Sequence, residues 1–292
     1  MNNSEIREKL RKITRLPSSA NIFPEIFQLM NDPKANMAQF EAVIRKDPAL
    51  SAQVLRMINS PYYGLPREIT RLKQALALLG MEEIYRIVSS VSYYSTFKKV
   101  FSNLSVSLNL LWTHFEWTST IAQILAERYF PRFTGEAYIL GLLHDTGKLV
   151  LDQFFSEKWA KVLETYQNKC GKMEELEREA FGYDHAEIAA MLFEEWRLPS
   201  VITDPIKYHH RPFECESQPE LCQLLFAADQ IASALIYDDK IRMATQEDKE
   251  PEADWEKIIT RYPNLNILAD EEKSAELQDE VYSRLRKRQQ IH

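Results

Sequence analysis

Glycine is scarce in this chain, with seven in 292 residues, while Leu, Ala, Glu and Ile recur throughout. That balance favours helices over sheets with tight turns, so an all-α fold is expected. Cysteine is rarer still. Cys170, Cys215 and Cys222 show neither C-x-x-C spacing nor an even-numbered framework, so they read as packing residues in a reducing cytoplasm. No apolar run approaches the ~18 residues of a membrane span, and the N-terminus, Met-Asn-Asn-Ser-Glu, lacks a signal-peptide core. There is no surplus of basic charge. A formal net charge of −7 argues against a general nucleic-acid surface. What is present, 45% hydrophobic and 27% charged residues, is the balance of a soluble globular protein with ample core. A cytoplasmic location without membrane attachment is the expectation.

Helix signals run the length of the chain. Residues 1–15 read as a charged first helix or arm, and a helix fits Phe23 to Met30 with Pro24 in its first turn. Asn36 and Gln39 form a capping-box pair, and Asp47-Pro48 supplies an N-cap and a first-turn proline. Asn59-Ser60-Pro61 followed by Tyr62-Tyr63-Gly64 reads as a structural turn. Thr70 can cap the next helix, with Gly80 as its stop. Residues 107–130 make a long helix, Asp184 and Glu187 form a second capping-box pair, and Leu221 to Ile236 is apolar and helical. From Tyr237 to Asp254 the composition turns acidic and polar, as in a linker. Three regions follow: an N-terminal helical bundle over 1–103, a helical core over 104–240, and an acidic linker with a helical tail over 241–292.

Within the core one stretch is anomalous. Residues 135–151 are apolar on nearly every side and read as helical, yet they carry His144, Asp145 and Lys148. A buried charge is costly unless it is paired or holds a metal. His114, His185, His209 and His210 also fall in segments read as helical, and Asp229 interrupts Leu-Leu-Phe-Ala-Ala-Asp-Gln-Ile-Ala. Each has a plainer reading. His114 alone suits a hydrogen-bonded core residue, His185 a first-turn residue beside its capping Asp184, His209-His210 a helix C-terminal dipole pair, and Lys148 a solvated helix residue. Only their co-occurrence argues for metal.

In order, these residues resemble the HD superfamily of metal-dependent phosphohydrolases, with its ligand series His, His-Asp, His, His-His, Asp. Leu16-Pro17, Asp47-Pro48-Ala49-Leu50, Val54-Leu55-Arg56, Asn59-Ser60-Pro61 and Ala75 to Gly80 narrow the likeness to the HDOD family. So do Trp112, Gly141-Leu142-Leu143-His144-Asp145-Thr146-Gly147-Lys148, Tyr183-Asp184-His185-Ala186-Glu187 and Trp196 to Pro199. The resemblance implies an N-terminal bundle packed on an HD-like helical core. It also implies two metal positions: one held by His114, His144, Asp145 and Asp229, the other by His185, His209 and His210, with Asp145 bridging. Fe or Mn suits such ligands best and Zn also fits. Asp145 and Lys148 would be the catalytic pair of a metal-dependent phosphohydrolase or phosphodiesterase acting on a nucleotide or other phosphoester. That enzyme is the alternative; the first reading implied by the family is a bacterial signalling protein that acts by binding a protein partner or a nucleotide ligand. Arg211-Pro212-Phe213-Glu214 stands where the HD-GYP relatives carry Glu and a Gly-Tyr-Pro loop, which favours the signalling role.

Overall fold

The computed structural model describes residues 6–10, several positions between 22 and 35, most of 36–105, and then 108–168, 172–236 and 254–289. Leu16-Pro17, the turn residues Ser60, Pro61, Tyr62 and Gly64, Cys170 and the acidic stretch 237–253 lie outside the described residues. So do much of the N-terminal arm and parts of the helix expected from Phe23. The described residues contain helices and turns and no strand, so the fold is all-α. None of these helices is long and apolar enough to cross a membrane.

The chain divides into two compact units, one built mainly on Arg15–Val100 and the other on Phe101–Val281. In the first, helix α1 (Met37–Ile44) opens with the expected capping box. Asn36 Oδ1 accepts from Ala38 and Gln39 N, and Gln39 Oε1 accepts from Asn36 N at 2.9 Å. Helix α2 (Pro48–Ile58) starts at Pro48, with Asp47 Oδ1 accepting from Leu50 N at 3.1 Å. Helix α3 (Leu72–Val100) breaks at Gly80, whose φ is 78°, so it is two helices end to end. Asn59 is structural: its amide donates to Leu55 O and Ile69 O, and its oxygen accepts from Ile69 N at 2.7 Å. α1, α2 and α3 pack on one another through Phe40, Ile44, Val54, Ile58, Leu76 and Val88.

The second unit carries α4 (Leu108–Tyr129), α5 (Thr134–Leu143), α6 (Thr146–Gln167, bent at Phe155) and α7 (Met173–Phe181). It continues with α8 (His185–Glu195), α9 (Ser200–Lys207), α10 (Pro219–Leu235), α11 (Trp255–Arg261) and the start of α12 (Glu271–Gln289). α5 lies against α4, α9 and α10, and its residues from Ala137 to Leu143 are all buried. Each fully buried Leu or Ile there contributes about 1.5–3 kcal/mol, which makes α5 the centre of this core. α6 packs on α7 and α8, and α11 on α10.

Two cysteines depart from the packing role expected of them. Cys215 and Cys222 are joined as a disulfide, with Cα atoms 6.5 Å apart. The 3-10 turn Pro212–Glu214 brings Cys215 back against the first turn of α10, where Cys222 lies.

Candidate metal centre

His144 and Asp145 do not sit inside a helix, as the apolar run 135–151 suggested. α5 ends at Leu143, with His144 as its C-cap and Asp145 as the residue that opens α6. Thr146 Oγ1 donates to Leu143 O at 2.6 Å and closes the corner. The corner is fixed by Gly147. A Cβ built there would stand 1.9 Å from His185 O, so only glycine lets the first turn of α6 touch the first turn of α8. That contact delivers His185 to Asp145. On its far side, α7 stops at Gly182, which takes a left-handed φ of 84°. The chain then reverses into Asp184, whose carboxylate caps α8 by accepting from Glu187 N at 2.7 Å.

The remaining residues arrive from packed neighbours. His114 lies in the second turn of α4 and Asp229 in the middle of α10, two helices packed on each other. His209 and His210 lie in the turn just after α9, not in its last helical turn. All seven residues come together, in two groups whose donor atoms each lie within 4.8 Å of one another. In the first, Asp229 Oδ1 is 3.1 Å from His114 Nε2 and 3.2 Å from His144 Nε2. In the second, His185 Nε2 is 3.1 Å from Asp145 Oδ1 and 3.0 Å from His210 Nε2, and His209 Nε2 is 3.8 Å from Asp145 Oδ1. Asp145 stands between them. Its other oxygen is 3.3 Å from His144 Nε2 and 3.6 Å from His114 Nε2. Lys148 is not a solvated residue: it is buried, with Nζ 2.9 Å from Asp145 Oδ2.

Whether these residues suit a metal can be tested on their hydrogen bonds. His144 Nδ1 is 2.9 Å from Gly141 O and His209 Nδ1 is 2.7 Å from Ile206 O. A ring N–H donated to a carbonyl leaves the opposite nitrogen as the ligand atom. His209 Nε2 is buried and makes no hydrogen bond, and the buried Asp145 Oδ1 and Asp229 Oδ1 face histidine Nε2 atoms of the same cluster at 3.1–3.2 Å. A buried polar atom with no partner costs about 1–3 kcal/mol or more, and a buried cluster of carboxylates and imidazoles needs protons or a cation between its members. Imidazole nitrogens and carboxylate oxygens gathered this closely are the donor set of a cation site. The residues fit.

A family model for the HDOD domain matches residues 16–212. The chain belongs to the HDOD family. An uncharacterized protein of Treponema pallidum (strain Nichols) is 25% identical over 208 residues, 71% of this chain and 39% of that protein. The chain therefore spans well under half the length of that relative. A candidate phosphohydrolase from Shewanella amazonensis SB2B aligns at TM-score 0.66 and 22% identity, covering 94% of this chain and 97% of that one. A candidate signal transduction protein from Marinobacter aquaeolei VT8 aligns at TM-score 0.71 and 24% identity, covering 100% of this chain and 65% of that one. Both share the fold.

The electrostatics of the HDOD centre favour positive charge. Burial pushes the His144 pKa down, but the carboxylates of Asp145 and Asp229 outweigh it and raise it to about 10. Burial likewise opposes His185, and Glu177 and Asp145 raise it to about 10 against the charge of Lys148. Burial pushes Asp145 and Asp229 up, yet His144 and its neighbours hold both well below the usual carboxylate range. His209 goes the other way. Burial and the adjacent His210, His144 and His185 hold it well below 6.5, which keeps its ring neutral.

One residue escaped the sequence reading. Glu177 of the HDOD core lies in a charged helix, yet it is fully buried, and its Oε2 accepts from His185 N at 2.8 Å and sits 2.7 Å from His185 Nδ1. The signal was its spacing. Met173, Glu177 and Phe181 fall four residues apart and form the buried stripe of α7.

Proposed function

We propose that this HDOD chain is a metal-binding regulatory module that acts through a protein partner or a nucleotide ligand. His114, His144 and Asp229 hold one divalent ion, and Asp145, His185, His209 and His210 hold a second. The observation that carries this reading is the gathering of seven buried or half-buried ligand-type side chains into two groups, the donor atoms of each within 4.8 Å of one another. Imidazole and carboxylate without thiolate suit Fe or Mn, and Zn as well. A regulatory role is favoured by burial: His114, His144, Asp145, His185, His209 and Asp229 are buried, and His210 alone is partly exposed. A hydrolytic centre keeps coordination positions open to substrate and water.

A phosphohydrolase is the second reading, and one observation favours it. Asp145 faces both ligand groups while Lys148 lies 2.9 Å from it. In that reading Asp145 is the shared ligand, the ions supply Lewis acidity to a phosphoester, and Lys148 neutralises phosphoryl charge. The two readings separate on one assay. Metal-loaded protein is incubated with nucleotides, cyclic dinucleotides and a chromogenic phosphodiester. The regulatory reading predicts no turnover above the chelated control, with metal-dependent protection from proteolysis. Turnover that disappears in Asp145→Ala would replace it with the enzyme.

A further inference from the structure

We infer that Glu177 is a positioning residue for the second ligand group: it holds His185 so that Nε2 faces Asp145, and its loss empties that group while sparing the first. The inference rests on the metal-binding reading above and assigns a role to a residue outside the ligand set.

One carboxylate oxygen, Oε2, takes both the backbone N–H of His185 at 2.8 Å and the ring nitrogen Nδ1 at 2.7 Å. Gripping main chain and ring of the same residue fixes both where His185 starts α8 and how its imidazole is turned. With Nδ1–H donated to a carboxylate, Nε2 becomes the ligand atom and a more basic one. It points at Asp145 Oδ1, 3.1 Å away. The other histidines with a defined Nδ1 contact are held differently. His144 and His209 lean on the backbone carbonyls of Gly141 and Ile206. The second group therefore has a carboxylate behind one of its ligands, and that support reaches neither His114, His144 nor Asp229.

The charge balance points the same way. Glu177 is fully buried, its Oε1 makes no hydrogen bond, and among the described residues its ion pair is with His185 alone. A buried carboxylate so poorly satisfied is costly unless positive charge lies close by. Among the described residues, the cationic partner that meets it is His185. Nor is Glu177 needed to hold α7 to α8. Arg178 pairs with Asp184 and Glu187 across the same link, and the capping box closes it.

The test uses the full chain, with zinc as the diamagnetic probe. Metal content by mass spectrometry and zinc titration are compared for wild type, E177Q and E177D, alongside long-range proton–nitrogen spectra of the zinc-loaded proteins. The wild type should hold two ions and show a His185 Nδ1–H resonance. E177Q should hold one ion, bind the second 10–100-fold more weakly, and lose or shift that resonance. E177D keeps a carboxylate one methylene short and should fall between. If E177Q does not fold, E177D is judged by the same two measurements. A folded E177Q with two ions at wild-type affinity and an unchanged His185 resonance overturns this inference alone. A wild type that binds no zinc overturns the metal reading and this inference together.

Discussion

Replacing Lys148 by Met probes the charge balance of the centre. Lys148 Nζ lies 2.9 Å from Asp145 Oδ2, with both side chains buried. At an effective dielectric near 20, charges at that separation attract by about 6 kcal/mol before desolvation is counted. Removing one partner of a buried pair typically costs about 3–5 kcal/mol, and because His144 and His185 still face Asp145 at 3.3 and 3.1 Å, the low end of about 3 kcal/mol applies here. For a unit of this size each kcal/mol moves the unfolding midpoint by about 2–4 °C, so K148M should melt roughly 6–12 °C below wild type in chelator. Bound metal changes the sum. Ions at both groups neutralise Asp145 without help from Lys148, so the deficit should fall below half in saturating Mn. Reciprocity then requires K148M to bind metal more tightly than wild type, by the same free energy. Differential scanning calorimetry with and without Mn, paired with metal titration, measures both. An equal deficit in both conditions, with unaltered affinity, refutes the reasoning.

Gly147→Ala would place a Cβ 1.9 Å from His185 O. Backbone must move there, so a loss of at least about 1–3 kcal/mol is expected, together with loss of the second metal. A stable variant with full metal content would contradict that close contact. The metal-free protein should also respond to pH. His144 and His185, raised from 6.5 to about 10, bind protons more tightly folded than unfolded. Their contribution is complete below pH 6.5 and is lost as pH climbs towards 10. His209, held below 6.5, works the other way, and its contribution erodes as pH falls. Asp145 and Asp229, held below 3.8, stabilise above that value and lose their effect in acid. Urea titrations of chelated protein should therefore show weakening between pH 7 and 10, and metal should flatten that slope by taking the protons' place. Equal stability of the chelated protein at pH 7 and 9.5 would count against this charge assignment.

Local signals in the chain translated directly into structure. Asn36 with Gln39 and Asp184 with Glu187 form the capping boxes expected of them, because a cap depends only on residues three positions apart. The seven histidines and aspartates converge because each stands on an apolar helix or at its end, where packing carries it inward. What depended on distant contacts was hidden. The apolar run 135–151 reads as one helix, and the corner at His144-Asp145 is set by Gly147 meeting the backbone of His185. The charge of Lys148 suggested solvent, yet it lies buried against Asp145. Glu177 shows the opposite failure. Its position on the Met173–Phe181 stripe marked it as buried, and the acidic residues around it masked the signal.

The central claim is that two ions share this site. Protein purified from medium supplemented with Fe and Mn, crystallised and measured near the absorption edges of both metals, tests it most directly. The account predicts two anomalous peaks. One lies among His114, His144 and Asp229, the other among His185, His209 and His210, with Asp145 reaching both. No anomalous density at either position, in protein that is folded and free of chelator, would contradict it.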